Sequence, residues 1–377
     1  MPNSAARPVP AVVFFPPRGS TRSQQWMAAA RQASAEDLIV RLREVGFEPI
    51  SLVASETPEP ALTAQVDRCI VLPGRTPFHF GRAFSDFVRA QGPGRLAYFG
   101  AASAPLATGE NLASWLDQAQ LLGDQGTLVN NLHSTDWAIL GNPHLVTSLA
   151  DRLPTDNPLG WVLREEAGLP VAMPAPATAA RVDIDTPGDL ALLQGHPDLG
   201  PQLRHATESL PAELRGRAEG LERVLRTGGA SLSLIGRVSE TAWREIVRRT
   251  QVWVRVYAEE RGMRASGRLA RGEVQSLIAE MVEARGPAAF ATRLAELCQA
   301  AVWDTRVWMA HRRRWPNEAD RMSADLGWPE EVIDPDLQAM TQAVVEASLP
   351  IVTGGQGVVA GSLRAFVETR WPLPAQG

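Results

Sequence analysis

The stretch VPAVVFF, residues 9–15, followed at once by Pro16 and Pro17, sets the fold class of this chain. Seven uncharged residues ended by prolines that cannot continue a ladder predict a strand buried on both faces. Working outward, residues 37–45 predict a helix closed by Gly46. Residues 49–54, 68–72 and 95–100 (RLAYFG) predict three further strands. Helices are expected over 78–89, 110–120 and 159–166, and short strands over 126–132 and 169–173. Strands alternating with helices at this spacing predict a mostly parallel sheet covered on both faces. Residues 195–229 change character, being rich in Arg, Glu, Leu and Ala, and predict a helical connector. The alternation then resumes. Strands are expected at 231–238, 252–258, 301–309 and 349–352, and helices at 240–250, 272–285, 288–299, 335–347 and 358–369. The expectation is two α/β domains, 1–196 and 229–377, joined by a connector over 197–228.

Composition narrows the function classes. The chain has 377 residues, 45% of them hydrophobic and 21% charged, which is ordinary for globular domains and excludes a disordered or fibrous chain. A net charge of −5 gives no general attraction to nucleic acid or an anionic membrane. Two cysteines, Cys69 and Cys298, are too few for a disulfide scaffold or an all-cysteine zinc site. No apolar run approaches the roughly 20 residues of a membrane span. Residues 1–10 show no signal-peptide apolar segment, so a cytoplasmic location is expected. The sequence contains no lysine; all 37 basic residues are arginine. Any anion site must therefore use arginine or backbone N–H groups, and Schiff-base chemistry on lysine is excluded.

The most specific string is ARVDIDTPGDLALL, residues 180–193. Thr186 is placed to cap a helix, Pro187 fits its first position, and Asp189 completes a capping box. Asp183 and Asp185 lie two apart at an expected strand end, which puts both on one face, and paired carboxylates there suit a divalent cation. Around the start of the helix expected over 78–89, Arg75, Thr76, His79 and Arg82 gather where a helix dipole favours an anion. The run NNLHSTD, residues 130–136, is unusually polar for the end of a strand. In the second half, Asp304, Arg306 and His311 are candidates for a polar ligand or a structural ion pair. Gly354 and Gly355 lie in TGGQGVVAG between a strand and a helix, a weak phosphate-loop candidate. The corner Arg255, Glu259, Glu260 and Arg261 and the run Arg312–Arg314 read as solvated charge.

The DIDTPGDL string resembles the closing motif of the nucleotidyltransferases related to molybdenum-cofactor guanylyl- and cytidylyltransferases and phospholactate guanylyltransferase. LAYFGAASAPLATGENLA, residues 96–113, is similar to their central strand, loop and helix. The resemblance covers roughly the first half of the chain. It implies a Rossmann-like GT-A nucleotidyltransferase sheet, followed here by a second, Rossmann-like α/β domain. It implies transfer of a nucleoside monophosphate from a triphosphate to a phosphorylated or anionic acceptor, with Mg²⁺ on Asp183 or Asp185. The phosphates would meet Arg18, Gly19, Ser20 and Arg22 after the first strand, with Arg75, His79 and Ser103 completing the nucleotide site. Two departures stand out. The first loop keeps one glycine, has two prolines and lacks the family's lysine. The central strand lacks the family's aspartate, leaving Ala101-Ala102-Ser103-Ala104-Pro105-Leu106. Two alternatives follow: a protein that binds a nucleotide or partner without turnover, and a glycosyltransferase using a nucleotide sugar. The expected partner is a nucleotide or another anionic small molecule, not a nucleic acid or a membrane.

Overall fold

In the computed structural model, residues 8–72, 78–92 and 94–373 are described. Two separate sheets form. The first contains β1 (Val9–Phe15), β2 (Phe47–Ala54), β3 (Arg68–Val71), β4 (Leu96–Gly100), β5 (Thr127–Val129), β6 (Trp137–Leu140) and β7 (Val171–Ala172). Its order is β3-β2-β1-β4-β6-β5-β7. β1 pairs in parallel with β2 and β4, as β2 does with β3 and β5 with β7, whereas β6 is antiparallel to β4 and β5.

The period of two in β1 decides the layering. Val9, Ala11 and Val13 enter one core with Leu38, Ile39 and Leu42 of the helix Arg22–Val45 and with Leu112 and Trp115 of the helix Gly109–Leu121. Val12 and Phe14 enter the other, against Phe80, Phe84, Phe87 and Val88 of the helix Phe80–Gln91. Burial of both faces is why β1 carries no polar residue. Trp115 stacks on Trp137 at 4.3 Å on one side. On the other, Phe14 meets Phe80 and Tyr98 edge-to-face while those two rings are tilted against each other, with centroids 5.0–5.5 Å apart.

The second sheet contains β8 (Ser231–Gly236), β9 (Trp253–Ala258), β10 (Ala300–Asp304) and β11 (Ile351–Gly354), all parallel, in the order β11-β10-β8-β9. Ala301, Trp303 and Ile351 face one core, and Ala300, Val302 and Val352 the other. The chain is thus an α/β protein with a seven-stranded, parallel-rich sheet and a second, four-stranded parallel sheet. Among the described residues no helix is long and apolar enough to cross a membrane.

The contacts do not divide the chain at residue 196. One unit comprises the chain up to Arg18, Arg31–Arg181 and Gly200–Leu203, and the other Gly19–Ala30, Val182–Leu199 and the chain from Arg204 onward. The DIDTPGDL string therefore packs with the second sheet. Several elements also differ from expectation. The first helix starts at Arg22, fifteen residues before Asp37, because the intervening run is rich in Ala and Gln, good helix formers. Asp183 makes a single β-bridge and Asp185 lies in irregular chain; neither belongs to a strand of the two sheets, and both fall between the short helices Thr178–Arg181 and Pro187–Leu193. The strand expected over 301–309 stops at Asp304, and Arg306–His311 is helical. Residues 272–276 precede the helix Leu277–Arg285 instead of beginning it. The connector holds two helices, Pro201–Glu208 and Ala212–Leu225.

Candidate functional site

In an open α/β sheet, ligands bind beyond the carboxyl ends of the strands, where neighbouring strands connect in opposite directions. In the first sheet that point lies between β1 and β4. Arg18 follows β1. Its backbone N–H donates to Glu56, and its guanidinium pairs with Glu59 at 2.5 Å. After β4 the chain turns, and the Ser103 hydroxyl donates to Gly100 O at 2.8 Å. Ser103 is thus spent inside its own turn. His79 sits at the N-cap of Phe80–Gln91 without capping it through its side chain. The first N–H groups of that helix are already bonded, Phe80 to Pro154 O at 3.1 Å and Gly81 to Leu153 O at 2.8 Å, which removes the free donors expected for an anion. Arg82 pairs with Asp151 at 3.0 Å. Arg75 and Thr76 lie outside the described residues.

The polar run after β5 closes on itself. Asn130 Nδ2 donates to Asp136 Oδ2 at 2.7 Å, and Asn130 Oδ1 accepts from the Asp136 N–H at 2.9 Å. The Thr135 hydroxyl donates to Asn131 O and Ser134 to Asn157. The Tyr98 hydroxyl donates to Asp156 at 2.6 Å. Burial, then the charge and hydrogen bond of Asp156, then Asp136 push that phenol well above its ordinary range, so it remains a donor.

The remaining candidates lie in the second unit. Gly19 takes a left-handed φ of +75°, and the Gln24 carboxamide folds back to accept from the Ser20 and Thr21 N–H groups at 3.2 and 3.3 Å. The donors that a phosphate loop presents to its ligand are here held by a side chain. Arg22 lies 4.0 Å over the Trp328 ring and pairs with Glu331 at 3.1 Å.

Thr186 and Asp189 form the expected capping box. Asp189 Oδ2 accepts from the Thr186 N–H at 2.9 Å and hydroxyl at 2.8 Å, and Oδ1 accepts from Ser362 Oγ at 2.8 Å. Burial and the charge of Asp185 outweigh these bonds and push the Asp189 carboxyl up to about 7. Gly354 gains its place from packing: a Cβ there would lie 2.5 Å from Val358 Cγ1 and 2.7 Å from Thr186 Oγ1. Gly355 approaches Thr186 in the same way. The DTPGD and TGGQG strings, read separately in sequence, are thus two halves of one packed corner.

Asp304 ends β10 with no exposed surface, and Arg237, just beyond β8, binds it through Nε at 2.5 Å and Nη2 at 3.1 Å. Arg306 binds Asp325 through both terminal nitrogens, at 3.1 and 2.5 Å, and its backbone N–H donates to Asp304 Oδ1 at 3.2 Å. Burial opposes the Arg306 charge, but Asp325 more than restores it, and the guanidinium is held above its usual value. His311 serves elsewhere, its Nδ1 accepting from the Ser276 N–H at 3.0 Å. Asp183 is engaged by neighbouring groups. Burial and then Arg237 lower Arg264, against which the Asp185 charge acts, and Asp185 also supports the Arg306 charge, so this carboxylate lies in the field of guanidinium groups. Among the described residues no three His, Cys, Asp or Glu side chains gather to hold a metal ion. Sequence reasoning missed Arg237, Arg264, Arg321 and Asp325. Only Arg237 carried a signal, following Gly236 at the end of a predicted strand.

No family model matches the chain, and no curated protein matches it in sequence. Among solved structures, it is similar to a cytidylyltransferase from Leptospira borgpetersenii serovar Hardjo-bovis (strain JB197), at 16% identity and a TM-score of 0.37. The match covers 49% of this chain and 84% of that one. It assigns no role to any residue here.

Proposed function

We propose that the seven-stranded unit is a nucleotidyltransferase-type module that binds a nucleotide and does not transfer it. The observation that carries this is the carboxyl end of β4. The strand order makes β1 and β4 neighbours at the switch point. What β4 delivers there is Gly100-Ala101-Ala102-Ser103, with no carboxylate and with the one hydroxyl turned back to Gly100. Phosphoryl transfer depends on positioning and on neutralising charge, and that position offers neither a metal ligand nor a cation. The resemblance of residues 96–113 to the transferases supports the binding half of the proposal.

Mg²⁺ does not fit the carboxylates assigned to it. Asp185 lies in the field of Arg264 and Arg306, which repel a cation, and Asp183 is engaged. Glycosyl transfer loses its motivation too, since Asp183 and Asp185 lie outside both sheets.

The test is thermal melting of the full chain with each of the four nucleoside triphosphates, with and without Mg²⁺, beside a pyrophosphate-release assay with phosphorylated acceptors. A nucleotide at about 100 times its Kd stabilises by about 2.7 kcal/mol, a shift of several degrees. The expected result is such a shift with no pyrophosphate. Turnover above background refutes the absence of transfer, and no shift with any nucleotide refutes binding.

A further inference from the structure

We propose that the carboxyl end of the second sheet binds the phosphoryl group of a small molecule, held by Arg264 and Arg321 beside Trp315. The place is set by topology. β8 and β10 are adjacent in the order β11-β10-β8-β9, so their connections leave in opposite directions. Arg237–Asp304 joins the two strand ends and Arg306, just past β10, pairs with Asp325 of the helix Glu318–Leu326, with every partner less than a tenth exposed. Both pairs are bidentate, so these four groups satisfy one another and form a rigid polar floor.

Two arginines remain outside such pairs. Arg321 gives Nη1 to Pro316 O at 2.5 Å, and Arg264 has no hydrogen bond or ion pair among the described residues. Their guanidinium carbons lie 5.3 and 5.5 Å from the Trp315 ring centre, within cation–π range. The groups crowd one another. Burial, then Arg306, with Arg264 further down, push Arg321 down to about 10, and Arg264 is lowered by burial and then by Arg237. Arg264 nonetheless keeps solvent-exposed surface. The acidic groups facing these arginines are Asp185, Asp304, Asp325 and Glu318. Two of the four are consumed by the buried pairs.

The segment that carries Arg264 is built for the position. Residues 259–276 form a connection longer than the about 12–15 residues that loops in compact domains seldom exceed, a length associated with binding loops. It is not loose: Met263 and Val274 are buried against Val307 and Ala310, with Leu269 and Trp315 packed around them. A phosphoryl dianion matches, in charge and in geometry, two guanidinium groups that stand outside the bidentate pairs, whereas a carboxylate occupies one.

The site stands on the second unit alone and does not depend on nucleotide binding by the first, so the probe is inorganic pyrophosphate. Calorimetric titration at low salt compares the full wild-type chain with Arg264→Ala and Asp185→Asn. Both changed residues reach solvent, and unchanged melting temperatures establish that the fold is kept. Arg264→Ala is expected to weaken binding by about tenfold or more, the loss of a charge-assisted hydrogen-bonding group. Asp185→Asn is expected to tighten it several-fold, because a carboxylate beside the anion is removed. Absence of binding by the wild type up to millimolar pyrophosphate overturns the proposal. So does an unchanged affinity in Arg264→Ala, or a loss of affinity in Asp185→Asn, which would mark a cation site.

Discussion

Replacing Asp189 with asparagine isolates one buried carboxyl whose protonation is tied to folding. Asp189 has no exposed surface, and its carboxyl is raised from an ordinary 3.8 to about 7 by burial and then by Asp185. The sign follows from linkage. A raised carboxyl pKa means that the folded chain holds a proton that the unfolded chain has released, between about pH 4 and pH 7. Stability from this group is therefore full below pH 4, falls as pH rises through that window, and changes no further above it. At about 1.4 kcal/mol per pH unit, the gap amounts to about 4 kcal/mol. Asparagine keeps the shape: its oxygen accepts from Thr186, and its amide donates to Ser362, whose hydroxyl rotates to receive it. Urea unfolding of both chains from pH 4 to pH 9 reads the difference, which cancels the other titrating groups. The variant is expected to match the wild type near pH 4 and to exceed it by up to about 4 kcal/mol at pH 8. Parallel curves across the whole range would refute the reasoning, because they would mean that Asp189 titrates alike in both states.

Other outcomes follow from the same structure. Asp325→Ala leaves Arg306 buried and unpaired, and should cost about 3–5 kcal/mol in urea unfolding, whereas a joint Arg306→Met, Asp325→Leu change should recover most of that loss. Gly354→Ala forces a Cβ to within 2.5 Å of Val358 and 2.7 Å of Thr186, and should lower stability by about 1–3 kcal/mol. Gly216→Ala, in the helix Ala212–Leu225 with nothing within 4 Å of the added Cβ, should instead raise the melting temperature, by about 0.5–1 kcal/mol of stability.

The legible parts of this chain are those decided locally. β1 could be read because a strand buried on both faces leaves an uninterrupted apolar run, and the Thr186–Asp189 box because capping spans three residues. β6 was not legible. Trp137–Leu140 is four residues long and follows a polar run whose side chains bond to one another, so it reads as the tail of a loop. Asp183-Ile184-Asp185 misled in the opposite direction. Alternation suggests a strand, but between the helices on either side the pairing is reduced to a single β-bridge at Asp183. The second-sheet pairs fail for another reason. Arg237 and Asp304 are separated by 67 positions and join two strand ends, which no local pattern records. Glycine was a misleading signal at Gly354, where a residue without a Cβ serves close packing against Thr186 rather than a phosphate.

A chain without lysine has a consequence that reaches the second sheet. Its cations there are guanidinium groups, which stay protonated at neutral pH even where burial, then Arg306, pushes one down to about 10, as at Arg321. They hold and orient an anion but do not exchange a proton with it. The carboxyl brought to about 7, Asp189, is enclosed by Thr186 and Ser362 and shows no surface to a ligand. At this end of the second sheet the positive groups and the neutral-range carboxyl are therefore separated by function: Arg264 meets the solvent, and Asp189 sets the packing of a corner closed to it. General acid or base catalysis needs a group near the operating pH within hydrogen-bond reach of the substrate. Arginines fixed by buried carboxylates, next to two that are not, supply instead a preorganised electrostatic cradle, whose strength should fall with added salt where Arg264 meets water.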